Sequence, residues 1–474
     1  MGSTRHIVDL VDELAAIRGN DPALTIEDKT LSYAELVELS RKAASRLQAL
    51  GVRQDDIVVL PMANSHEQVS FFLGSWRLGA TPLPLSQAVP DAELEHIVAA
   101  ANARVVLREG QKFDEEPLWE APNLLARRCR AQASGGSTGT PKVIVDTQPC
   151  VVDLNQDFWG WELGKAMFVP GPTFHSGPMN HLIGGLTRGV HVLMLRKFDA
   201  RKALDLMSGY RTHWALFVPT MMNRILKLGE EEIAKADLSC LKRVWTSAAY
   251  CPAWLKQAWI AIVGPDAVWE IFGGSEGVAT TIISGREALD HPGSVGRAAG
   301  NGEIAIFDTE GKPLPPGEIG EIYMRNKVDD RRFIVISQVK PRMSGEWESF
   351  GDLGWLDDDG YLYLADRRVD MINSGGQNVY PAEVEAAIQS HPAVDDAVVF
   401  GQKDDDLGEM VCAMVYSSSG SPSSEELLQY LSTQITRYKI PRRIEFADEP
   451  IRNDAGKVRR SALGVSQVHA GSQV

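Results

Sequence analysis

The sequence reads Ser134-Gly-Gly-Ser-Thr-Gly-Thr-Pro-Lys142 where a polar stretch gives way to the β-branched run Val143-Ile-Val145. Glycines allow backbone N–H groups to approach an anion, while the hydroxyl groups add donors and Lys142 adds positive charge. This composition suits a triphosphate. It is not a Walker A loop, because no Lys-Ser or Lys-Thr pair follows the last glycine at the required spacing. Taken alone, the segment is equally compatible with a flexible Ser/Gly loop.

The chain around this segment alternates between helical and strand-like patterns. Residues 33–50 place apolar side chains at helical spacing and end at Gly51, a residue that commonly terminates helices. A short apolar run at residues 57–62 and a helical pattern at 67–79 follow. The same rhythm predicts strands at residues 190–195 and 214–218, and helices at 200–209 and 220–228. Such alternation is typical of a layered α/β fold.

The pattern of apolar and turn-forming residues changes in the last third of the chain. Residues 293–365 consist of short β-prone runs separated by Gly and Pro turns, which predicts a β-subdomain. After residue 370 a further α/β unit is predicted, with helices at 382–390 and 424–436, strands at 397–401 and 411–416, and a polar loop at 417–424. We therefore expect a large N-terminal domain over residues 1–368, built from layered α/β subdomains and the β-subdomain, and a small C-terminal α/β domain over 370–474.

Composition narrows the classes of protein. The 474 residues include 44% hydrophobic and 23% charged residues, an ordinary globular profile, and the formal net charge of -15 argues against a nucleic-acid partner. No apolar run is long enough to cross a bilayer, and the first 20 residues lack the layout of a signal peptide. The five cysteines form no metal-binding or disulfide pattern. We expect a cytoplasmic protein with reduced thiols.

Five further segments indicate a function only when they are considered together. Each of them alone is compatible with a turn, a capping residue or a solvated side chain. They are Thr173-Phe-His-Ser-Gly-Pro178, Ser247-Ala-Ala-Tyr250, Phe272-Gly-Gly-Ser-Glu276, Gly351-Asp-Leu-Gly354 with Tyr361 and Arg367, and Asn453-Asp-Ala-Gly-Lys-Val-Arg-Arg460.

Together with residues 134–142, these segments resemble the acyl-adenylate-forming superfamily of acyl-CoA ligases, firefly luciferase and nonribosomal-peptide adenylation domains, over nearly the whole chain. The resemblance implies an enzyme that uses ATP and Mg²⁺ to convert a carboxylic acid into its acyl-AMP, with release of pyrophosphate. The acyl group then passes to an acceptor. It also implies that the C-terminal domain is a mobile lid.

Residue roles follow from the same resemblance. The phosphate-binding loop of the family corresponds to Ser134, Gly135, Gly136, Ser137, Thr138, Gly139 and Lys142, although the family usually has Gly in the place of Val143. The remaining ATP and AMP contacts correspond to Ser247, Ala248, Ala249, Phe272, Gly273, Gly274, Ser275, Asp352 and Arg367. Glu276 corresponds to the Mg²⁺ ligand, and carboxylate oxygen is the ligand type that Mg²⁺ prefers. Lys457 and His175 correspond to catalytic residues, since a mobile ammonium can neutralise charge that builds on phosphate oxygens.

The acid pocket is predicted more weakly. Trp159, Met179 and Val218 are candidate walls, together with the neighbouring Phe158 and Trp161, and they would suit an apolar or aromatic acid. Aromatic residues at these spacings also serve commonly as core.

The sequence leaves two possible acceptors for the acyl group, the thiol of coenzyme A and an amine. The family rotates its C-terminal domain about a polar residue two places after the motif arginine, and here that place holds Val369. A β-branched apolar side chain is stiff and gains nothing from solvent at a hinge. Coenzyme A is the commoner acceptor for a free-standing chain, and an amine, as in the stand-alone amide bond synthetases, is the alternative.

Two other classes of protein are alternatives to a ligase, a serine hydrolase and a degenerate nucleotide-binding protein. Gly273-Gly-Ser-Glu-Gly277 and Gly135-Gly-Ser-Thr-Gly139 both satisfy the G-x-S-x-G pattern of serine hydrolases. That reading requires a helix directly after the serine, whereas residues 278–283 are strand-like. A degenerate nucleotide-binding protein is disfavoured because Glu276, Asp352, Arg367 and Lys457 are present together.

Overall fold

A computed structural model describes residues 4–134, 142–155, 158–274, 278–327, 333–335, 342–367, 372–374, 377–404, 408–418, 420–452 and 458. Its helices are α1 (Ile7–Arg18), α2 (Tyr33–Ala49), α3 (His66–Arg77), α4 (Asp91–Ala101), α5 (Ser176–Leu186), α6 (Ala200–Gly209), α7 (Pro219–Leu226), α8 (Glu230–Lys235), α9 (Ala253–Val263), α10 (Gly285–Asp290), α11 (Pro381–Gln389) and α12 (Ser424–Gln434). Its strands are β1 (Thr4–His6), β2 (Pro22–Ile26), β3 (Lys29–Ser32), β4 (Ile57–Pro61), β5 (Thr81–Leu85), β6 (Val105–Val106), β7 (Ala131–Ser134), β8 (Lys142–Asp146), β9 (Val151–Asp153), β10 (Ala166–Phe168), β11 (His191–Met194), β12 (Trp214–Phe217), β13 (Arg243–Thr246), β14 (Val268–Gly273), β15 (Thr280–Ser284), β16 (Ser294–Ala298), β17 (Gly302–Phe307), β18 (Gly320–Asn326), β19 (Phe333–Val335), β20 (Arg342–Ser344), β21 (Trp347–Leu356), β22 (Leu362–Arg367), β23 (Ile372–Ser374), β24 (Gln377–Val379), β25 (Asp396–Asp404), β26 (Gly408–Tyr416) and β27 (Arg443–Ala447).

One long sheet organises residues 22–367. Its strands lie in the order β17-β18-β21-β22-β16-β15-β14-β13-β12-β10-β11-β2-β3, with β20 paired to β21. The strands from β14 to β2 are parallel, and the rest pair antiparallel. Alternate side chains of β12 enter two separate cores, Trp214 and Leu216 on one face and Ala215 and Phe217 on the other. Both faces of the parallel part are therefore covered, as parallel sheets require.

The predicted α/β fold and its helices are confirmed, with element ends within a few residues of the sequence patterns. Helix α2 begins where Ser32 and Glu35 form a capping box, in which the Ser32 backbone N–H donates to the Glu35 carboxylate at 2.8 Å. It ends before Gly51, which has φ of 79°. The predicted β-subdomain contains β16 to β18 and β20 to β22. Among the described residues, no helix combines the length and apolar character that a membrane crossing needs.

The strand-like pattern after the Phe272 segment is also confirmed. Strand β15 follows it, and α10 begins only at Gly285. Strand β8 likewise follows residues 135–141. A hydrolase nucleophile elbow needs a helix directly after its serine, so both G-x-S-x-G matches are in the wrong structural context.

Residues 372–447 form a second sheet of order β24-β23-β26-β25, with β27 against β26, and their own core under α11 and α12. This unit contacts α7 of the long-sheet unit. The Lys227 ammonium donates to the carbonyls of His391 and Pro392 at 3.1 and 2.8 Å, and Asn223 Nδ2 donates to the Asp395 carbonyl at 3.2 Å. The predicted domain boundary at 368–370 lies outside the described residues, so the two-domain division stays a prediction.

A buried ion pair lies where α9, β14 and β16 meet. Lys256 on α9 and Glu270 on β14 are each 2% exposed and form a salt bridge, and the Lys256 ammonium also donates to the Ser294 carbonyl of β16 at 2.8 Å. Burial raises the pKa of the Glu270 carboxyl, and the neighbouring Lys256 opposes that rise. The pair holds the parallel sheet against the β-subdomain.

Lys256→Met is expected to lower the free energy of unfolding by about 3–5 kcal/mol, because it leaves a buried carboxyl without its partner. Urea denaturation followed by tryptophan fluorescence measures this change. The double variant Lys256→Met with Glu270→Met should recover most of the loss. The matched control is Lys235→Met, which breaks an exposed pair with Glu232 and should leave the denaturation midpoint near wild type. Equal destabilisation by both single variants would contradict the assignment.

Candidate active site

Four predicted segments meet at one edge of the long sheet. The adjacent parallel strands β10, β12, β13 and β14 present their carboxyl ends there. The His175 segment follows β10, Val218 follows β12 and residues 247–249 follow β13, while residues 272–274 form the end of β14 and the residue after it. The carboxyl edge of a parallel sheet is the usual place for a ligand in such folds.

The end of β13 carries a strained backbone. Thr246 lies opposite Glu270 of β14 and is the last residue of β13, so Ser247 and Ala248 follow directly after the paired part of the strand. Ala248 has φ of 72°, in the left-handed region that disfavours a Cβ atom. Glycine adopts this conformation freely, whereas alanine does so at a cost in free energy. Strain of this kind tends to occur at functional sites.

Strands β7 and β8 flank the predicted phosphate loop. They pair antiparallel in a register that sets Ser134 opposite Lys142, so the two ends of the segment 135–141 are adjacent. The residues predicted to hold phosphates are therefore flanked by two paired strands. The segment itself lies outside the described residues.

Helix α5 is tied to the same hairpin. The Arg130 side chain, next to β7, donates to the Ser176 carbonyl at 3.3 Å and also bonds Asn180. At its other side, the first turn of α5 lies beside β13, since a Cβ added at Gly177 would lie 3.9 Å from Ser247 Oγ. His175 is the N-cap residue of α5. It is thereby placed between the hairpin and the Ser247 loop.

A buried polar network fixes the segment that leads to His175. The Asn64 side-chain amide donates to the carbonyls of Gly171 and Leu195, each at 3.0 Å, and its oxygen accepts from the Thr173 backbone N–H at 3.0 Å. The Thr173 hydroxyl donates to Gln68 at 2.6 Å. These residues are all at most 4% exposed, so water does not compete for their hydrogen bonds.

Asp352 and Arg367 lie directly opposite each other in the β21–β22 ladder. Sequence reasoning predicted both as contacts to the nucleotide, but could not predict this pairing. Their strands belong to the same continuous sheet as β14: β22 is two strands beyond β15, the neighbour of β14, and β21 is three strands beyond it.

Arg452 and Val458, which flank Lys457 in the sequence, have contacts of their own. Arg452 forms an isolated bridge with Val458, and its guanidinium bonds Glu385 at 2.6 Å and Asp396 at 3.1 Å. Lys457 itself lies outside the described residues. The same holds for Gly135, Gly136, Ser137, Thr138, Gly139, Ser275, Glu276 and Val369.

The candidate pocket residues divide between two places. Trp159 and Met179 belong to the core on the α5 face of the sheet, whereas Val218 packs against the core of the opposite face. Trp159 lies against Trp245, with ring centroids 4.9 Å apart. Trp159 and Met179 are thus brought together, and Val218 is not grouped with them.

Several site residues were not found from the sequence. Asn64, Gln68 and Arg130 stabilise the site through contacts to backbone or to neighbouring side chains, which no local pattern reveals. Asn64 could have been suspected from the sequence, because it is a polar residue shortly after the apolar run that forms β4. Tyr250 was noted only as part of its segment; burial raises its pKa to about 12.

The donor set fits a nucleotide. A hairpin rich in hydroxyls and glycines suits phosphates, and a carboxylate such as Asp352 can accept from both ribose hydroxyls. Within the described ranges, no group of three His, Cys, Asp or Glu side chains is arranged for a metal ion. The predicted Mg²⁺ ligand, Glu276, falls in the gap at 275–277.

Comparison with known proteins gives a consistent result. The family model described as "AMP-binding enzyme" matches residues 11–133 and 130–328, and the model "AMP-binding enzyme C-terminal domain" matches residues 383–457. The chain is 28% identical to the long-chain-fatty-acid–CoA ligase FadD13 of Mycobacterium tuberculosis, over 92% of this chain and 93% of that protein.

Two solved structures share the fold over nearly the whole chain. The anthranilate CoA ligase AuaEII, in complex with anthranoyl-AMP, has a TM-score of 0.78 and 25% identity, covering 98% of this chain and 97% of that one. The amide bond synthetase McbA from Marinactinospora thermotolerans has a TM-score of 0.73 and 23% identity, covering 96% and 99%.

The strain at Ala248 is testable with a neighbouring control. Ala248→Gly should raise the midpoint of thermal unfolding, because relief of a left-handed alanine, about 1–2 kcal/mol, outweighs the entropic cost of glycine, roughly 0.5–1 kcal/mol. Ala249→Gly carries only the entropic cost, since the φ of Ala249 is not positive, and should lower the midpoint. Differential scanning calorimetry measures both. Two shifts of the same sign would show that Ala248 is not strained.

Proposed function

The chain belongs to the family of AMP-binding enzymes, and from this premise we propose that it is an ATP-dependent ligase that joins a carboxylic acid to coenzyme A. In the first half-reaction a carboxylate oxygen attacks the α-phosphorus of ATP, and pyrophosphate leaves. In the second, the coenzyme A thiol loses its proton and attacks the acyl carbon, and AMP leaves. The products are an acyl-CoA, AMP and pyrophosphate.

One observation carries the proposal. The segments that follow β10, β13 and β14 lie side by side at one sheet edge, and the β7–β8 hairpin is tied to them through Arg130 and α5. The loops after any set of parallel strands meet at one edge, but here three loops after neighbouring or nearby strands are segments that the resemblance assigns to nucleotide and acid binding. The convergence supports one site that holds a nucleotide and an acid together.

We assign roles to the chain's residues accordingly. Lys142 and the hydroxyls of the 134–140 segment neutralise and hold the β- and γ-phosphates, and Asp352 accepts from the ribose hydroxyls. Lys457 neutralises charge that develops on the α-phosphate oxygens during the attack. Glu276 would hold Mg²⁺ through its carboxylate, and the ion would supply positive charge to neutralise the departing pyrophosphate.

His175 occupies a position suited to the acid. It caps the N-terminus of α5, where the partial positive charge of the helix favours an anion. The buried Asn64 network holds the backbone that precedes it, so the imidazole enters the site at a fixed place. We assign His175 to orienting the carboxylate toward the nucleotide.

We propose an aromatic acid as the substrate. Trp159, one of the predicted walls, contacts Trp245 and His181 at ring-centroid distances of 4.9 and 4.6 Å. Aromatic walls favour a flat ring through offset and edge-to-face contacts. The relative with anthranoyl-AMP bound acts on an acid of this kind.

An amine is the second candidate acceptor. Val369 at the predicted hinge position favours it, because a stiff apolar side chain disfavours the rotation that exposes a thiol-transfer face. In that case the amine would attack the same acyl-AMP, and the first half-reaction would be unchanged.

Lys457→Ala should reduce acid-dependent pyrophosphate release to background while ATP still binds, because its ammonium acts only as charge develops on the phosphate. A coupled pyrophosphate assay and isothermal titration with ATP measure the two properties. Lys403→Ala, an exposed lysine of the same unit, is the control and should retain activity. Undiminished release from the Lys457 variant would remove its assigned role.

Product analysis separates the two acceptors. A panel of carboxylic acids with ATP is incubated with coenzyme A alone, with an amine alone, and with both, and the products are identified by mass spectrometry. We expect the acyl-CoA whenever coenzyme A is present. Formation of amide only, in the mixture with both acceptors, would overturn coenzyme A as acceptor and leave the adenylation step intact.

A further inference from the structure

A cluster of aromatic rings lies under the proposed site. This tryptophan cluster comprises Phe158, Trp159, Trp161, His181, Trp214, Trp245 and Trp269. His181 is at its centre, with ring centroids 4.6 Å from Trp159, 5.4 Å from Trp161 and 4.5 Å from Trp214. Trp245 lies 4.9 Å from Trp159 and 5.5 Å from Trp269.

Three nitrogens of the cluster are buried without a hydrogen-bond partner among the described residues. They are His181 Nδ1, Trp161 Nε1 and Trp245 Nε1. Two neighbouring indoles show the contrast, since Trp214 Nε1 donates to the Trp159 carbonyl at 2.9 Å and Trp269 Nε1 donates to the Asp266 carbonyl at 3.1 Å.

Leaving such groups unpaired is costly. A buried unsatisfied polar group costs roughly 1–3 kcal/mol. Other buried side-chain atoms of the described residues also lack a partner, and this cluster differs because three of them lie together in it. His181 is 4% exposed, so solvent does not reach most of its ring. Three such nitrogens in one cluster point to a polar group that binds there.

The cluster is continuous with the proposed site. Trp245 is two residues before Ser247 on β13, a distance of roughly 7 Å along a strand. Trp269 is in register with Trp245 on β14, three residues before Phe272. His181 is on α5, the helix that His175 caps. A molecule whose carboxylate lies at His175 would therefore extend its other end toward the cluster.

We propose that the tryptophan cluster binds the ring of the acid and that His181 hydrogen-bonds a neutral polar substituent on this ring, with the indole N–H groups of Trp161 and Trp245 as further donors. The inference rests on the proposed function and narrows its substrate class. The acid is an aryl acid that carries a hydroxyl, carbonyl or similar oxygen away from its carboxylate.

The chemistry of the nitrogens selects a neutral group. Burial lowers the pKa of His181 to about 3, so the imidazole is neutral and offers one donor and one acceptor. Arg188 and Arg243 stack over Trp161 and Trp269, but their guanidinium groups already donate to the carbonyls of Asp153 and Asp266 at 2.9 and 3.2 Å. A second carboxylate would be buried beside a neutral imidazole, which is unfavourable.

Phe158 borders the cluster on its solvent-exposed side. Phe158 is 53% exposed and contacts both Trp159 and Trp245. Phe158 lies outside any helix or strand. The ring of the acid would approach the cluster beside Phe158.

The test compares matched acids in wild type and His181→Phe. Benzoic, phenylacetic and cinnamic acids are used, each with a hydroxyl or a methyl group at the ortho, meta or para position. The ratio of kcat/KM for the best hydroxy acid to that for its methyl counterpart is measured by pyrophosphate release. We expect His181→Phe to lower this ratio by about 10- to 100-fold, because the hydroxyl loses its buried partner.

His191→Phe is the matched control. His191 is also a buried histidine, 6% exposed, but it is hydrogen-bonded to Thr25 at 2.7 Å on another part of the sheet. Its replacement should leave the ratio unchanged. Trp161→Phe removes one indole donor and should lower the ratio in the same direction, which keeps the test decisive if His181→Phe fails to fold.

The outcomes are distinguishable. An unchanged ratio in the His181 and Trp161 variants, or turnover of aliphatic but not aryl acids, overturns this inference and leaves the ligase proposal standing. Absence of pyrophosphate release with every acid tested would instead overturn the proposed function itself.

Discussion

The site depends on a geometric property of parallel strands, which all present their carboxyl ends at the same edge of a sheet. Strands β10, β12, β13 and β14 are neighbours, so the segments after them are brought together although they are far apart in the chain. Covering helices on both faces keep the sheet buried and its edge fixed. Short loops at that edge can then carry chemistry on a rigid base.

Buried polar contacts transmit this rigidity to the functional groups. Asn64 fixes the backbone before His175, Arg130 ties α5 to the hairpin, and Lys256 joins β14 to the β-subdomain through Glu270 and Ser294. Each of these groups is satisfied by partners from other elements. Two departures from ideal local chemistry lie beside the candidate site. They are the left-handed Ala248 and the buried nitrogens around His181 that have no partner among the described residues.

Sequence patterns were sufficient to predict features that depend only on residues close together in the chain. Helix α2 could be predicted from its apolar spacing and Gly51, and the strand after Phe272 from its β-branched residues. Three features could not be predicted, because each depends on contacts between segments that are distant in the chain. They are the register that sets Asp352 opposite Arg367, the role of Asn64 and the tryptophan cluster. Val218 illustrates the limit: it precedes α7 at the correct edge, yet its side chain packs on the opposite face from Trp159.

Formation of an acyl-adenylate is the central claim, and an isotope measurement tests it directly. The acid, labelled with ¹⁸O in both carboxylate oxygens, is converted with unlabelled ATP, and AMP and pyrophosphate are analysed by mass spectrometry. Attack of the carboxylate on the α-phosphorus requires that the AMP carry one ¹⁸O and the pyrophosphate none. Unlabelled AMP, or ¹⁸O in inorganic phosphate together with ADP, would contradict the account.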